Sequence, residues 1–174
     1  MLSTMQEVPF SVARILEFGT TAHGNTTCTT WRASGAEETT FGEIGARATA
    51  FANALHDDLG IDGDQRVSTL LYNCAEHVEV MFAVAAKGAV FNPLNVQLMA
   101  DQIAYVVNHA ESEVIVTDPR LAEKLGAILQ LCPDVRAVAF TGIAPLDDAA
   151  SHLPPSVEVY SYEQLPVSYT HLTL

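Results

Sequence analysis

The chain has few basic residues. Lys and Arg number 8 of 174, against 21 Asp and Glu, for a formal net charge of −13. Phosphate contacts need clustered Lys and Arg, so the composition argues against a nucleic-acid surface. Such acidity gives a solvated surface and identifies no partner. Cysteine is also scarce. Cys28, Cys74 and Cys132 are an odd count, widely spaced and without a CxxC pair. That speaks against a disulfide framework or a zinc site and fits a reducing, cytoplasmic compartment. Long hydrophobic runs are missing as well: the largely apolar stretch Val78–Ala86 is too short to span a bilayer. Met1–Phe10 lacks the basic start and apolar core of a signal peptide. Phosphate-gripping and catalytic signatures are absent: no GxxxxGK followed by Ser or Thr, no GxGxxG after a strand, no HExxH and no GxSxG. No residue is therefore assigned a catalytic, cofactor-binding or metal-binding role.

What is present is enough apolar sequence for a real core, 49% hydrophobic against 17% charged. The stretch Val67–Asp118 organises it. Val67–Tyr72 is short, apolar and bounded by turn residues, which predicts a buried strand. Glu76–Lys87 predicts a helix closed by Gly88. Ala89–Phe91 predicts a strand stopped by Asn92-Pro93. Asp101–His109 predicts a helix with Ile103, Val106 and Val107 on one face. Val114–Thr117 predicts a third strand, and Asp118-Pro119 opens the next helix. Strands alternating with helices give an α/β fold with a parallel, doubly wound sheet.

The flanks extend this pattern. Ser11–Phe18 is amphipathic, with Val12, Ile15, Leu16 and Phe18 able to dock on their own domain or on a second subunit; the sequence favours the first. Thr26–Arg32 is β-branched and aromatic and predicts a strand, paired with Glu38–Thr40 across a polar turn at Ser34–Glu38. Thr40 and Glu43 fit a capping box. The helix it opens runs to about Leu59, buries Ile44, Ala48, Phe51, Ala52 and Leu55, and ends at Gly60. Ile61-Asp62-Gly63-Asp64 predicts a tight turn with positive φ at Gly63. Two carboxylates there, Asp62 and Asp64, are too few for a cation site. Beyond Asp118 the pattern predicts a helix over Arg120–Leu131, a strand over Val135–Phe140, a helical turn at Leu146–Ser151, a strand over Val157–Tyr160 and a helix start at Ser161–Leu165.

The best-placed polar cluster is Asn73-Cys74-Ala75-Glu76-His77, at a strand-to-helix turn. Open α/β sheets bind ligands at the carboxyl ends of their strands. On that reading Asn73 and His77 face a ligand and Cys74 gains acidity from a helix N-terminus. The rival, favoured reading is structural: Asn73 or Cys74 caps the helix, Glu76 complements its dipole and His77 packs in the first turn. His109 suits a helix C-terminus, with Glu111 as its partner. His56 and His152 have no evident partner. Pro93-Leu94-Asn95 reads as a rigid connector, or as the lip of a channel.

Several of these segments resemble one family. Thr40-Phe41-Gly42-Glu43-Ile44 resembles the helix opening of AMP-forming acyl-CoA ligases. Gly63-Asp64-Gln65-Arg66-Val67 resembles their G-D-R-V turn with Gln65 inserted. Asn73–Glu79, Lys87–Val90 with Pro93-Leu94-Asn95, and Asn108-His109-Ala110-Glu111 followed by Val114–Asp118 resemble further family segments in the same order. The Asn-His-Ala-Glu form is similar to the fatty-acid branch.

The resemblance covers about Val8 to Leu165 and implies an incomplete N-terminal subdomain of the AMP-binding ligase domain over residues 1–165. It implies that the full-length enzyme activates a fatty acid with ATP, releasing pyrophosphate. The acyl-adenylate formed is then passed to the coenzyme A thiol, with magnesium offsetting phosphate charge. The family's phosphate-gripping loop and catalytic lysine lie downstream, so the chain alone is expected to be inactive and to hold no cofactor. The resemblance also raises a homodimer through the N-terminal segment. Pro166–Leu174 breaks the pattern and resembles the translation of a sequencing adapter, so 166–174 is expected to be non-native. The rival functions are a stand-alone flavodoxin-like α/β module binding a nucleotide or a partner near Asn73–His77, and a purely structural dimerisation piece.

Overall fold

The computed structural model describes residues 11–142 and 146–165. The expectations for Pro166–Leu174 lie outside these residues. The elements run α1 (Val12–Ala22), β1 (Thr27–Arg32), β2 (Gly35–Thr40), α2 (Phe41–Asp57), β3 (Arg66–Leu70), α3 (Ala75–Ala86), β4 (Val90–Pro93), α4 (Ala100–His109), β5 (Ser112–Thr117), α5 (Ala122–Leu129), β6 (Ala137–Phe140), α6 (Leu146–Ser151) and β7 (Glu158–Ser161).

Strands β3 to β7 form one sheet in the order β4-β3-β5-β6-β7, and every neighbouring pair is parallel. The period of two in strand side chains splits the core between its faces. Val67, Val114, Val116, Ala137 and Ala139 point to one side, where they pack with Phe51 and Leu55 of α2 and Val80 and Val84 of α3. Leu70, Ile115, Val138 and Phe140 point to the other, against Ile103 and Val107 of α4 and Leu125 and Ile128 of α5. Helices on both faces make the sheet doubly wound. A buried polar string crosses it: the Ser68 and Ser112 hydroxyls are 2.7 Å apart, and the Asn92 amide donates to Ser68 at 2.9 Å.

The capping box of α2 is complete. Thr40 Oγ1 accepts from the Glu43 N–H at 3.2 Å, and Glu43 Oε2 accepts from the Thr40 N–H at 2.8 Å. All five residues assigned to the buried face of α2 are buried. Gly88 closes α3 with φ +73°, and Gly63 and Asp64 both take positive φ, 106° and 65°.

Some boundaries differ from the sequence pattern. The hairpin turn is tighter than expected, because Arg32 pairs with Gly35 and only Ala33 and Ser34 lie between. Gly35 takes φ +122° and lets β2 start three residues early. The helix expected over Arg120–Leu131 begins as a 3-10 turn, Pro119–Leu121, capped by Asp118 Oδ1 on the Arg120 N–H at 2.8 Å. It stops at Leu129 because Pro133 bars helical geometry at Cys132. Residues 162–165 form a turn closed by the Gln164 and Leu165 N–H groups on the Ser161 carbonyl. Val106 is half-buried, whereas Ile103 and Val107 are buried. Helix α1 buries none of its residues outright: Val12, Ile15 and Phe18 are exposed and Leu16 is half-buried.

Candidate functional site: two clefts at the carboxyl ends of the sheet

The antiparallel hairpin β1-β2 lies over the N-terminus of α3. Thr30 fixes it there, accepting a hydrogen bond from the Ala75 N–H at 3.0 Å. Cys74 occupies the N-cap position of α3, but its side chain makes no capping bond. The expected cap at Asn73 or Cys74 is thus supplied by a hydroxyl 45 residues upstream. A local window cannot reveal such a partner.

This arrangement borders a half-open cavity of about 350 Å³ beyond the ends of β3 and β4, lined by Cys28, Asn73, Cys74, His77, Met81 and Phe91 among others. Asn73, His77 and Pro93, the residues with alternative readings, come together here. Pro93 pairs with Thr69 in β4, as a connector after the strand would, and it also lines the cavity. His77 Nε2 lies 2.9 Å from Thr69 Oγ1, and its ring leans on Phe91 with centroids 5.7 Å apart. Burial pushes the His77 pKa down, against a hydrogen bond with the Tyr72 backbone, so the neutral ring is favoured. Asn73 is exposed at the rim, and its amide makes no hydrogen bond with the described residues.

Cys74 contradicts one expectation. Its pKa is pushed up to about 12, first by burial and then by the Glu76 carboxylate. The helix N-terminus would lower it, but desolvation beside an anion wins. Cys74 is therefore a protonated, weakly nucleophilic thiol.

A second cleft, of about 580 Å³, opens beyond β6 and β7. Arg32, Arg47, Glu76, Glu79, Gly142 and Glu163 are among its lining residues. Arg32 Nη2 donates to Glu76 Oε1 at 2.6 Å, and its Nε pairs with Glu37. Arg47 Nε donates to Glu79 Oε1 at 2.9 Å, and its Nη2 to Glu163 Oε2 at 3.0 Å. The fully buried Tyr162 hydroxyl donates to Glu79 Oε2 at 2.7 Å. Burial holds the Glu79 pKa up even so, although Arg47 and Tyr162 pull it down. Burial also raises Tyr162, with Glu79 adding to the effect. Burial alone would raise Glu76, but its own backbone, Cys74 and Arg32 bring it below the usual carboxylate range.

The sequence reading missed this network. Its signal was Glu79, a carboxylate inside an otherwise apolar helical stretch, which needs a partner to be buried. The partners, 32 and 83 residues away, were not legible.

The other candidates stand apart from both clefts. His109 stacks on Tyr105 at 5.7 Å, while Glu111 lies 3.8 Å from Arg66, so the expected His109–Glu111 pair does not form. His56 lies 3.3 Å from Asp62. Among the described residues no group of His, Cys, Asp or Glu could hold a metal ion, Asp62 and Asp64 included. Neither cleft fits the phosphates of ATP: one lacks cations in its lining, and in the other both arginines are committed to carboxylates.

A model of the AMP-binding enzyme family matches residues 17–167. The chain is 28% identical to a 3-methylmercaptopropionyl-CoA ligase of Ruegeria lacuscaerulensis over 161 residues, 92% of this chain and 29% of that protein. It is 29% identical to a medium-chain-fatty-acid–CoA ligase of Ectopseudomonas oleovorans over 161 residues, again 92% of this chain and 29% of that protein. Over 90 residues, 52% of this chain and 16% of the relative, it is 40% identical to a long-chain-fatty-acid–CoA ligase of Thermus thermophilus.

Among solved structures, an anthranilate CoA ligase in complex with anthranoyl-AMP superposes with a TM-score of 0.77 at 20% identity. The match covers 97% of this chain and 31% of that one. The A domain of a carboxylic acid reductase from Segniliparus rugosus also gives 0.77, at 14% identity, covering 98% and 31%. These likenesses establish the fold, and the chain spans under a third of its relatives' length. The rival of a stand-alone flavodoxin-like module is not favoured by these matches. The chain belongs to the AMP-binding enzyme family, and its parallel sheet with flanking helices is the N-terminal subdomain of the adenylate-forming acyl-CoA ligase fold.

Proposed function

We propose that the whole protein is an ATP-dependent, AMP-forming ligase. It joins a fatty acid to coenzyme A through an acyl-adenylate, and this chain is its structural N-terminal part. The family match over residues 17–167 carries the reading. The medium- and long-chain fatty-acid ligases among the relatives support the substrate class. Within this chain the two arginines of the charged cleft bind the fold's own carboxylates, and the thiol and imidazole of the other cleft favour their neutral forms. Such groups order a scaffold and leave phosphate binding to residues elsewhere in the protein. We therefore expect the 174-residue chain to release no pyrophosphate by itself.

Three free cysteines support a cytoplasmic site, and no described helix is long and apolar enough to cross a membrane. The exposed Val12, Ile15 and Phe18 of α1 support a homodimer contact, which light scattering across a concentration series tests. The test of the activity is pyrophosphate release by the whole protein with ATP, magnesium and a series of straight-chain acids. Turnover that rises from acetate to a medium or long chain supports the reading. Absence of turnover with every acid overturns it.

A further inference from the structure

The cavity at the ends of β3 and β4 has the features of a ligand site. Its volume of about 350 Å³ lies in the range of small-molecule pockets. Its apolar surface comes from Val78, Met81, Phe91 and Pro93. Its remaining groups are hydroxyls, two thiols, an imidazole and one amide, with no Lys, Arg, Asp or Glu in the lining. The imidazole Nε2 is already engaged by Thr69, and Thr30 is engaged by Ala75. That leaves the Asn73 amide at the rim, and the exposed Thr29 hydroxyl on the hairpin, without a protein partner among the described residues.

We infer that this cavity binds a small, uncharged, largely apolar molecule, with a ring or short hydrocarbon part against Met81 and Phe91 and one polar group on the Asn73 amide. A carboxylate is disfavoured. Entering would strip part of its water, and no cation lines the cavity to compensate. The inference does not rest on the ligase reading.

Benzamide and benzoate form a suitable probe pair, because they share a shape and differ in charge. The readout is the rate at which N-ethylmaleimide labels Cys28 in the whole protein, with the buried Cys132, which should stay unlabelled, as the check that the fold is intact. Benzamide is expected to slow labelling saturably, and benzoate to act at least about tenfold more weakly, one power of ten in affinity. Val78→Trp, which fills the cavity, is expected to abolish protection; Met81→Trp does the same one helical turn on, should the first variant not fold. Asn73→Ala is expected to weaken benzamide about fivefold, the effect of one hydrogen bond. Unsaturable protection, equal action of benzoate, protection retained in a folded tryptophan variant, or full affinity in Asn73→Ala overturns the inference. So does a Cys28 that N-ethylmaleimide cannot reach without benzamide.

Discussion

The two clefts share one edge of one sheet and one wall, the first turn of α3, yet differ in kind. On the side of β3 and β4 the wall presents Cys74 and His77, and the lining carries no charged residue. On the side of β6 and β7 it presents Ala75 and Glu76, and the lining holds two arginines paired with Glu37, Glu76, Glu79 and Glu163. Successive residues of a helix point about 100° apart, so one turn can face two environments. What each environment becomes is then set by long-range neighbours. Thr30 and Phe91 border the neutral cavity, whereas Arg32, Arg47 and Tyr162 furnish the charged one.

The contrast can be broken most strongly at Arg47. Arg47→Met strips the cation from Glu79, whose side chain is 1% exposed, and leaves a buried carboxylate without its counter-charge. Removing one partner of a buried pair costs about 3–5 kcal/mol; with Arg47 itself a third exposed, we expect ~2–3 kcal/mol in denaturant unfolding. Arg47→Met with Glu79→Met sharpens the point. It should recover most of that loss, because an apolar pair of similar volume carries no desolvation cost.

Tyr162→Phe is the next largest. It deletes one buried hydrogen bond to a carboxylate and should cost about 1.5 kcal/mol by the same measurement. Thr30→Val follows at about 1 kcal/mol, because the Ala75 N–H loses its acceptor, and Thr30→Ser should restore it. The smallest effect is on pH dependence. His77 has a lowered folded pKa, so its contribution is present above the usual imidazole value, about 6.5, and is lost as pH falls through the folded value. Glu79, with a raised pKa, acts in the opposite sense. Melting temperatures below about pH 6.5 should therefore fall less in His77→Gln than in the unaltered protein.

The sequence made the fold legible wherever a pattern was local. Gly60 and Gly88 mark helix ends, Thr40 and Glu43 are three residues apart, and the sheet strands are short apolar runs between turn signals. Each boundary error has a local cause of its own, such as the tight turn before Gly35 or the 3-10 turn after Asp118. The clefts were legible only in part. Asn73, His77 and Pro93 could be placed at strand ends by topology. That Cys28 would line the same space, or that burial and Glu76 would raise Cys74, depends on how the hairpin lies over α3, which no spacing encodes.

We propose that this chain is scaffold for an adenylate-forming ligase whose chemistry resides in the rest of the protein. Pyrophosphate release with ATP, magnesium and a straight-chain fatty acid tests it most directly, run in parallel on the whole protein and on the 174-residue chain. Turnover is expected from the whole protein and none above blank from the chain. Turnover by the chain alone, or none from the whole protein with any carboxylic acid, would contradict it.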